Sequence, residues 1–312
     1  MIKERITMFQ AGIIFTISLV LFLLFSFLNP FESFYIGGTF GEIIPILLPS
    51  VIGLLIMRKS FKLNLKLNGF NPLDGVLIFF TILFSLPLSM SLNAFNMWLV
   101  RIIFGFNMEV DIPIPETGGE LLISLLVIAV VAAVCEEVLF RGVLQSSFEK
   151  LGKAGMFLLV SLLFTAFHFS IEQFMGLFML SLLITYMVYR TNSIFAGMLA
   201  HFTNNAAAMV ISFFANKIPE SILLESETTS LEFPMWIQII ILAAIVIGLT
   251  AVAITLLVIF TKRTKSTKTR LPMDRELKAG DVLTFIPGVL IMAAMFVIVI
   301  LGYVMMPILE NF

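Results

Sequence analysis

The stretch ELLISLLVIAVVAAVCEEVLFRGVLQSSFEK, residues 120–150, decides the fold. Over 121–148 it is apolar enough and long enough to cross the roughly 30 Å hydrocarbon layer of a bilayer as one helix. Yet Glu136, Glu137 and Arg141 stand inside it. A charge at that depth costs several kcal/mol, so such residues face a polar cavity or one another rather than lipid.

The rest of the chain repeats the pattern without the charges. Apolar runs recur at 8–28, 40–57, 74–100, 155–170, 173–189, 193–214, 235–260 and 282–307, which with 121–148 makes nine. Of 312 residues, 60% are hydrophobic and 12% charged, and the mean hydropathy is +1.08. A soluble domain cannot solvate such a surface. The reading is an all-α polytopic transmembrane bundle, a single integral membrane domain over 1–312, with the ninth span an addition to an eight-helix core. The third run, with Pro87 and polar Ser and Asn residues through 89–96, is expected to break into a span and an interfacial segment.

Charge orients the bundle. With the N-terminus cytoplasmic, the inner connections collect Lys3, Arg5, Arg58, Lys59, Lys62, Lys66, Lys150, Lys153, Arg190 and the residues from Lys262 to Lys278. The outer ones hold Glu32, Glu109, Asp111, Glu116, Glu120, Glu172, Glu220, Glu225, Glu227 and Glu232. The net charge is only −1, so this segregation is topology rather than overall composition. The expected setting is a bacterial cell membrane. The basic run TKRTKSTKTR, 261–270, reads as a leaflet anchor, and Cys135, the one cysteine, offers no disulfide or thiolate cluster.

Polar residues inside the spans locate the chemistry. The only two histidines, His168 and His201, both lie in apolar runs, His201 with Asn204 and Asn205 in GMLAHFTNN. At 1.5 Å per helical residue, Glu136 lies about 21 Å in from Lys150, His168 about 20 Å from Ala154, His201 about 16 Å and Asn205 about 22 Å from Arg190. These four groups therefore share one layer. Residues four apart stack on one helix face, so Glu137 and Arg141 can pair, as can His201 and Asn205, while Glu136 turns about 100° away.

These residues resemble the CAAX protease and bacteriocin-processing family of intramembrane peptidases, which includes the type II prenyl endopeptidase. The matching motifs are Glu-Glu-x-x-x-Arg at Glu136, Glu137 and Arg141, Phe-x-x-x-His at Phe164 and His168, and His-x-x-x-Asn at His201 and Asn205. The resemblance covers a catalytic core of about 120–215. It implies that Glu136 and His168 activate a water, that His201 and Asn205 stabilise the oxyanion, and that Glu137, Arg141 and Phe164 support them. A metal-free mechanism is preferred, although Glu136, His168 and His201 are also a donor set for catalytic zinc.

The implied substrate is a membrane-associated peptide or lipidated protein, cleaved in peptide maturation, bacteriocin processing or self-immunity. Two other classes compete: a proton-coupled transporter, whose relays also use buried Glu and His, and a catalytically silent scaffold with a structural polar network. No second copy of the motifs supports a transporter's internal repeat. There is no Gly-x-Ser-Gly for a rhomboid-like serine, Lys278-Ala279-Gly280-Asp281 lacks the first glycine of Gly-x-Gly-Asp, and no phosphate loop or nucleic-acid module is present.

Overall fold

The computed structural model describes residues 5–28, 30–106, 113–218, 234–264 and 279–309. Lys3, Glu109, Asp111, Glu220, Glu225, Glu227, Glu232 and residues 265–278 lie outside them. The described residues form helices and turns with no strand. The principal helices are α1 (Met8–Leu28), α2 (Phe34–Ile56), α3 (Pro72–Phe104), α4 (118–151), α5 (Gly152–Phe167), α6 (Phe174–Thr191), α7 (Ile194–Ala215), α8 (Met235–Arg263) and α9 (Ile286–Leu309). Among the described residues, eight uninterrupted stretches are long and apolar enough to span a membrane. The count is eight because α4 and α5 run on from one another as Gly118–Phe167, divided at Gly152, whose φ of 75° only glycine adopts without strain.

Local chemistry sets the ends. Thr117 Oγ1 accepts from Glu120 N at 3.2 Å while Glu120 Oε2 accepts from Glu116 N at 2.9 Å, a near capping box that starts α4. Asn71 caps α3 ahead of Pro72, and Gly105 closes it in the left-handed region. Between these ends α3 differs from expectation. It runs unbroken through Pro87 for 33 residues, since neighbouring helices and side chains re-satisfy the backbone groups that a proline frees inside a membrane bundle.

Helix α4 is the hub, packed against α1, α2, α5 and α7, while α3, α6, α7 and α8 form the other flank. Each flank has its own apolar cluster, one around Phe15, Phe140 and Phe164, the other around Ile78, Ile184 and Ala200. Basic side chains meet at one end of the bundle. Arg5 and Lys66 pair with Glu149, Lys150 with Asp281, and Arg263 with Asp74. Lys66 is not in a solvated loop, being 2% exposed, and its Nζ donates to the carbonyl of Arg141 and to Ser146 Oγ. At the opposite end Glu172 is likewise buried.

Candidate active site

The polar layer lies where α4, α5, α6 and α7 converge. Helix α4 is not regular there. Leu125–Val131 and Val138–Leu144 are π-helical, bracketing the α-helical turn that ends in Glu136 and Glu137. Wide π turns of this kind concentrate at functional sites, and both carbonyls of α4 that receive bonds from side chains of other elements, Ile128 and Arg141, lie in them.

Glu137 and Arg141 are completely buried and form an ion pair, Nη1 to Oε1, at 2.8 Å. Burial of both charges demands further partners. Arg141 Nη2 donates to Ser181 Oγ at 2.9 Å, and the guanidinium lies 4.4 Å over the Phe164 ring, a cation–π contact in a desolvated setting. His201 Nδ1 lies 3.2 Å from the same Glu137 oxygen. A carboxylate only accepts, so Nδ1 carries the proton and Nε2 points into the layer. Gly197, one turn earlier on α7, permits this approach: a Cβ there would collide with Glu137 Oε2 and sit 2.7 Å from Val188.

Glu136 faces away from that pair, as the helical spacing requires. Its Oε2 lies 3.9 Å from His168 Nε2 and 4.0 Å from His201 Nε2, and makes no hydrogen bond within the described residues. His168 Nδ1 lies 2.9 Å from the Phe164 carbonyl, which fixes the proton on Nδ1 and leaves the Nε2 lone pair facing Glu136. Phe164 also packs against both imidazoles, at centroid distances of 4.8 and 5.8 Å. Its position in the motif is thus explained by three contacts at once.

Asn205 is held one turn beyond His201. Its Nδ2 donates to Ile128 O at 2.9 Å, and its Oδ1 accepts from Asn204 at 3.0 Å. Glu42 of α2 escaped the sequence reading. Its Oε2 is shielded from solvent, and the charge of Glu136 acts on it. The signal was present, because Glu42 falls inside the 40–57 apolar run and meets the same criterion that singled out Glu136. It also lines a cavity of about 240 Å³ between α1 and α2 with Phe22, Phe25, Gly38 and Gly41.

Zinc held by Glu136, His168 and His201 at bonds of about 2.1 Å needs donor atoms about 3.4 Å apart. The separations of 3.9 and 4.0 Å are wider, and no group of three His, Cys, Asp or Glu among the described residues is arranged to hold a metal. As placed, these side chains do not fit the ion.

Comparison with known proteins bears on the same segment. No curated protein and no solved structure matches the chain. Residues 118–207 match the family model described as type II CAAX prenyl endopeptidase Rce1-like, and this segment contains Glu136, Phe164, His168, His201 and Asn205. Through this segment, under a third of its length, the chain is similar to the type II CAAX prenyl endopeptidases, and its eight long apolar stretches are those of a multi-pass membrane protein.

Proposed function

We propose that the protein hydrolyses a peptide bond by a metal-free mechanism, with Glu136 and His168 activating water and His201 and Asn205 holding the oxyanion. The observation that carries this is the position of Glu136 Oε2 between two imidazole Nε2 atoms, at 3.9 and 4.0 Å. Those separations are too long for direct hydrogen bonds and match the span that one water bridges.

In the reaction the water oxygen adds to the peptide carbonyl carbon and its proton passes to Glu136, with the His168 Nε2 lone pair orienting the water. The carbonyl electron pair moves to oxygen. One N–H of Asn205 is committed to Ile128, which aims the amide and leaves its second N–H for that oxyanion; His201, whose Nδ1 proton is committed to Glu137, assists as the doubly protonated ring, donating through Nε2. Collapse of the tetrahedral intermediate breaks the C–N bond, and the proton held by Glu136 goes to the departing amine. Glu137, anchored by Arg141, fixes the His201 ring. The substrate is a membrane-associated peptide or lipidated protein, in peptide maturation, bacteriocin processing or self-immunity.

The test uses protein reconstituted in liposomes and internally quenched peptides with and without an S-farnesyl cysteine. Cleavage by the parent should be lost in Glu136→Gln and His168→Ala and should survive removal of bound metal by a chelator. Undiminished cleavage by both variants overturns the assigned roles. Activity abolished by chelation and restored by zinc overturns the metal-free mechanism.

A further inference from the structure

His168 sits at a precarious point of the chain. Helix α5 has 16 residues and reaches only about 24 Å, so it stops short of crossing the hydrocarbon layer. The chain reverses through residues 168–173, with Phe169 in the left-handed region at φ 50°, a conformation that costs a bulky residue about 1 kcal/mol or more. Such a turn keeps its shape only if its surroundings hold it.

The first turn of α6 is held only in part: Gln173 N reaches Ser170 Oγ and Phe174 N reaches Ile171 O, but the cap residue, Gln173, makes no side-chain capping bond. The free N–H groups there need acceptors from elsewhere. Helix α3 supplies one. Asn93 Oδ1 accepts from Gly176 N at 2.8 Å, and three residues on, on the same face, the buried Asn96 donates through Nδ2 to Ile171 O. Gly176 is required for the first contact, since a Cβ there would overlap the Asn93 amide. Asparagines at 93 and 96 are costly deep in an apolar helix, and both of these bonds go to the segment that follows His168.

We infer that Asn93 and Asn96 are positioning residues for His168: from α3 they clamp the 168–176 turn and so set the imidazole against Glu136. The inference rests on the role given to His168 above, and a spectroscopic test separates the two. The chain has only two histidines, so selective ¹⁵N-histidine labelling gives two sets of ring signals, assigned with His201→Gln. Asn93→Ala and Asn96→Ala should shift the His168 set and leave the His201 set in place. Asn93→Asp retains an acceptor at a helix N-terminus and should keep the parent signals. Asn96→Asp loses its donor and should behave like Asn96→Ala.

In the peptide assay the two alanine variants should lose about 10- to 100-fold in kcat, the scale expected for a misplaced catalytic group, with KM within about threefold of the parent. His168 signals unmoved in both alanine variants overturn the inference, as do equal effects of the two aspartate substitutions. If His168→Ala stays fully active while the signals shift as expected, the clamp stands and the catalytic role of His168 falls.

Discussion

Replacing Arg141 with alanine tests the energetic logic of the site. The change removes the 2.8 Å bond to Glu137, the 2.9 Å bond to Ser181 and the stacking over Phe164. It leaves Glu137 fully buried with His201 Nδ1 as its nearest remaining donor. Stranding one partner of a buried pair costs about 3–5 kcal/mol. The cation–π contact alone is about 2 kcal/mol in a desolvated place, but the two overlap, so about 4 kcal/mol is expected in total. Adding Glu137→Gln removes the stranded charge while keeping an acceptor for His201, and should recover about 2 kcal/mol. Equilibrium unfolding by SDS titration in mixed micelles, followed by the fluorescence of Trp98 and Trp236, reads all three proteins. An Arg141→Ala variant within about 1 kcal/mol of the parent refutes the reasoning. So does a double variant no more stable than the single one.

Other perturbations probe separate links. Burial pushes the Lys66 ammonium down from 10.5 to about 8. Between those values the unfolded chain holds a proton that the folded chain lacks, so stability should rise with pH from about 8 to 10.5, by on the order of 3 kcal/mol from this group. Below pH 8 both states are protonated and the burial cost stands in full. The same titration repeated at several pH values should lose that slope in Lys66→Met, and an unchanged slope contradicts the assignment. Asn205→Asp cannot donate to Ile128 or to an oxyanion, and should lower kcat by about 10²- to 10³-fold; a rate within about fivefold of the parent removes the residue from the mechanism. Gly197→Ala puts a methyl group against Glu137 Oε2 and Val188, with an expected cost of about 1–3 kcal/mol and a displaced His201. Parental stability and cleavage rate would show that α7 does not need its close approach.

How much of this was legible depended on the scale of the signal. Periodicity of 3.6 residues placed Glu137 and Arg141 on one face and Glu136 on another, and hydropathy marked where the helices run, because both are local properties of a chain in lipid. Counting depth from the basic flanks brought Glu136, His168 and His201 to one level, and in the structure they meet there. What was not legible depends on partners distant in sequence. Lys66 looks like a flanking surface lysine until Arg141 O, Ser146 and Glu149 surround it. Pro87 and the polar run 89–96 look like a break in α3, whereas Asn93 and Asn96 carry contacts to residues 83 and 75 positions further on.

The π turns of α4 connect these observations. A strictly α-helical α4 would keep its carbonyls in the ladder, yet Asn205 of α7 and Lys66, from the basic end of the bundle, both bond carbonyls in its π stretches. One contact aims the amide of Asn205, and the other ties down the segment that carries Arg141. The motif residues thus rest on a helix whose loosened turns are fastened from two sides, while the short α5 is fastened through its exit turn by α3. A site that must hold Glu136 between two imidazoles within a fraction of an ångström needs such supports. None of the contributing side chains outside the segment 118–207, namely Lys66, Asn93 and Asn96, has a motif of its own. Under the roles proposed above they serve the site through packing, from outside the segment that matches the family model.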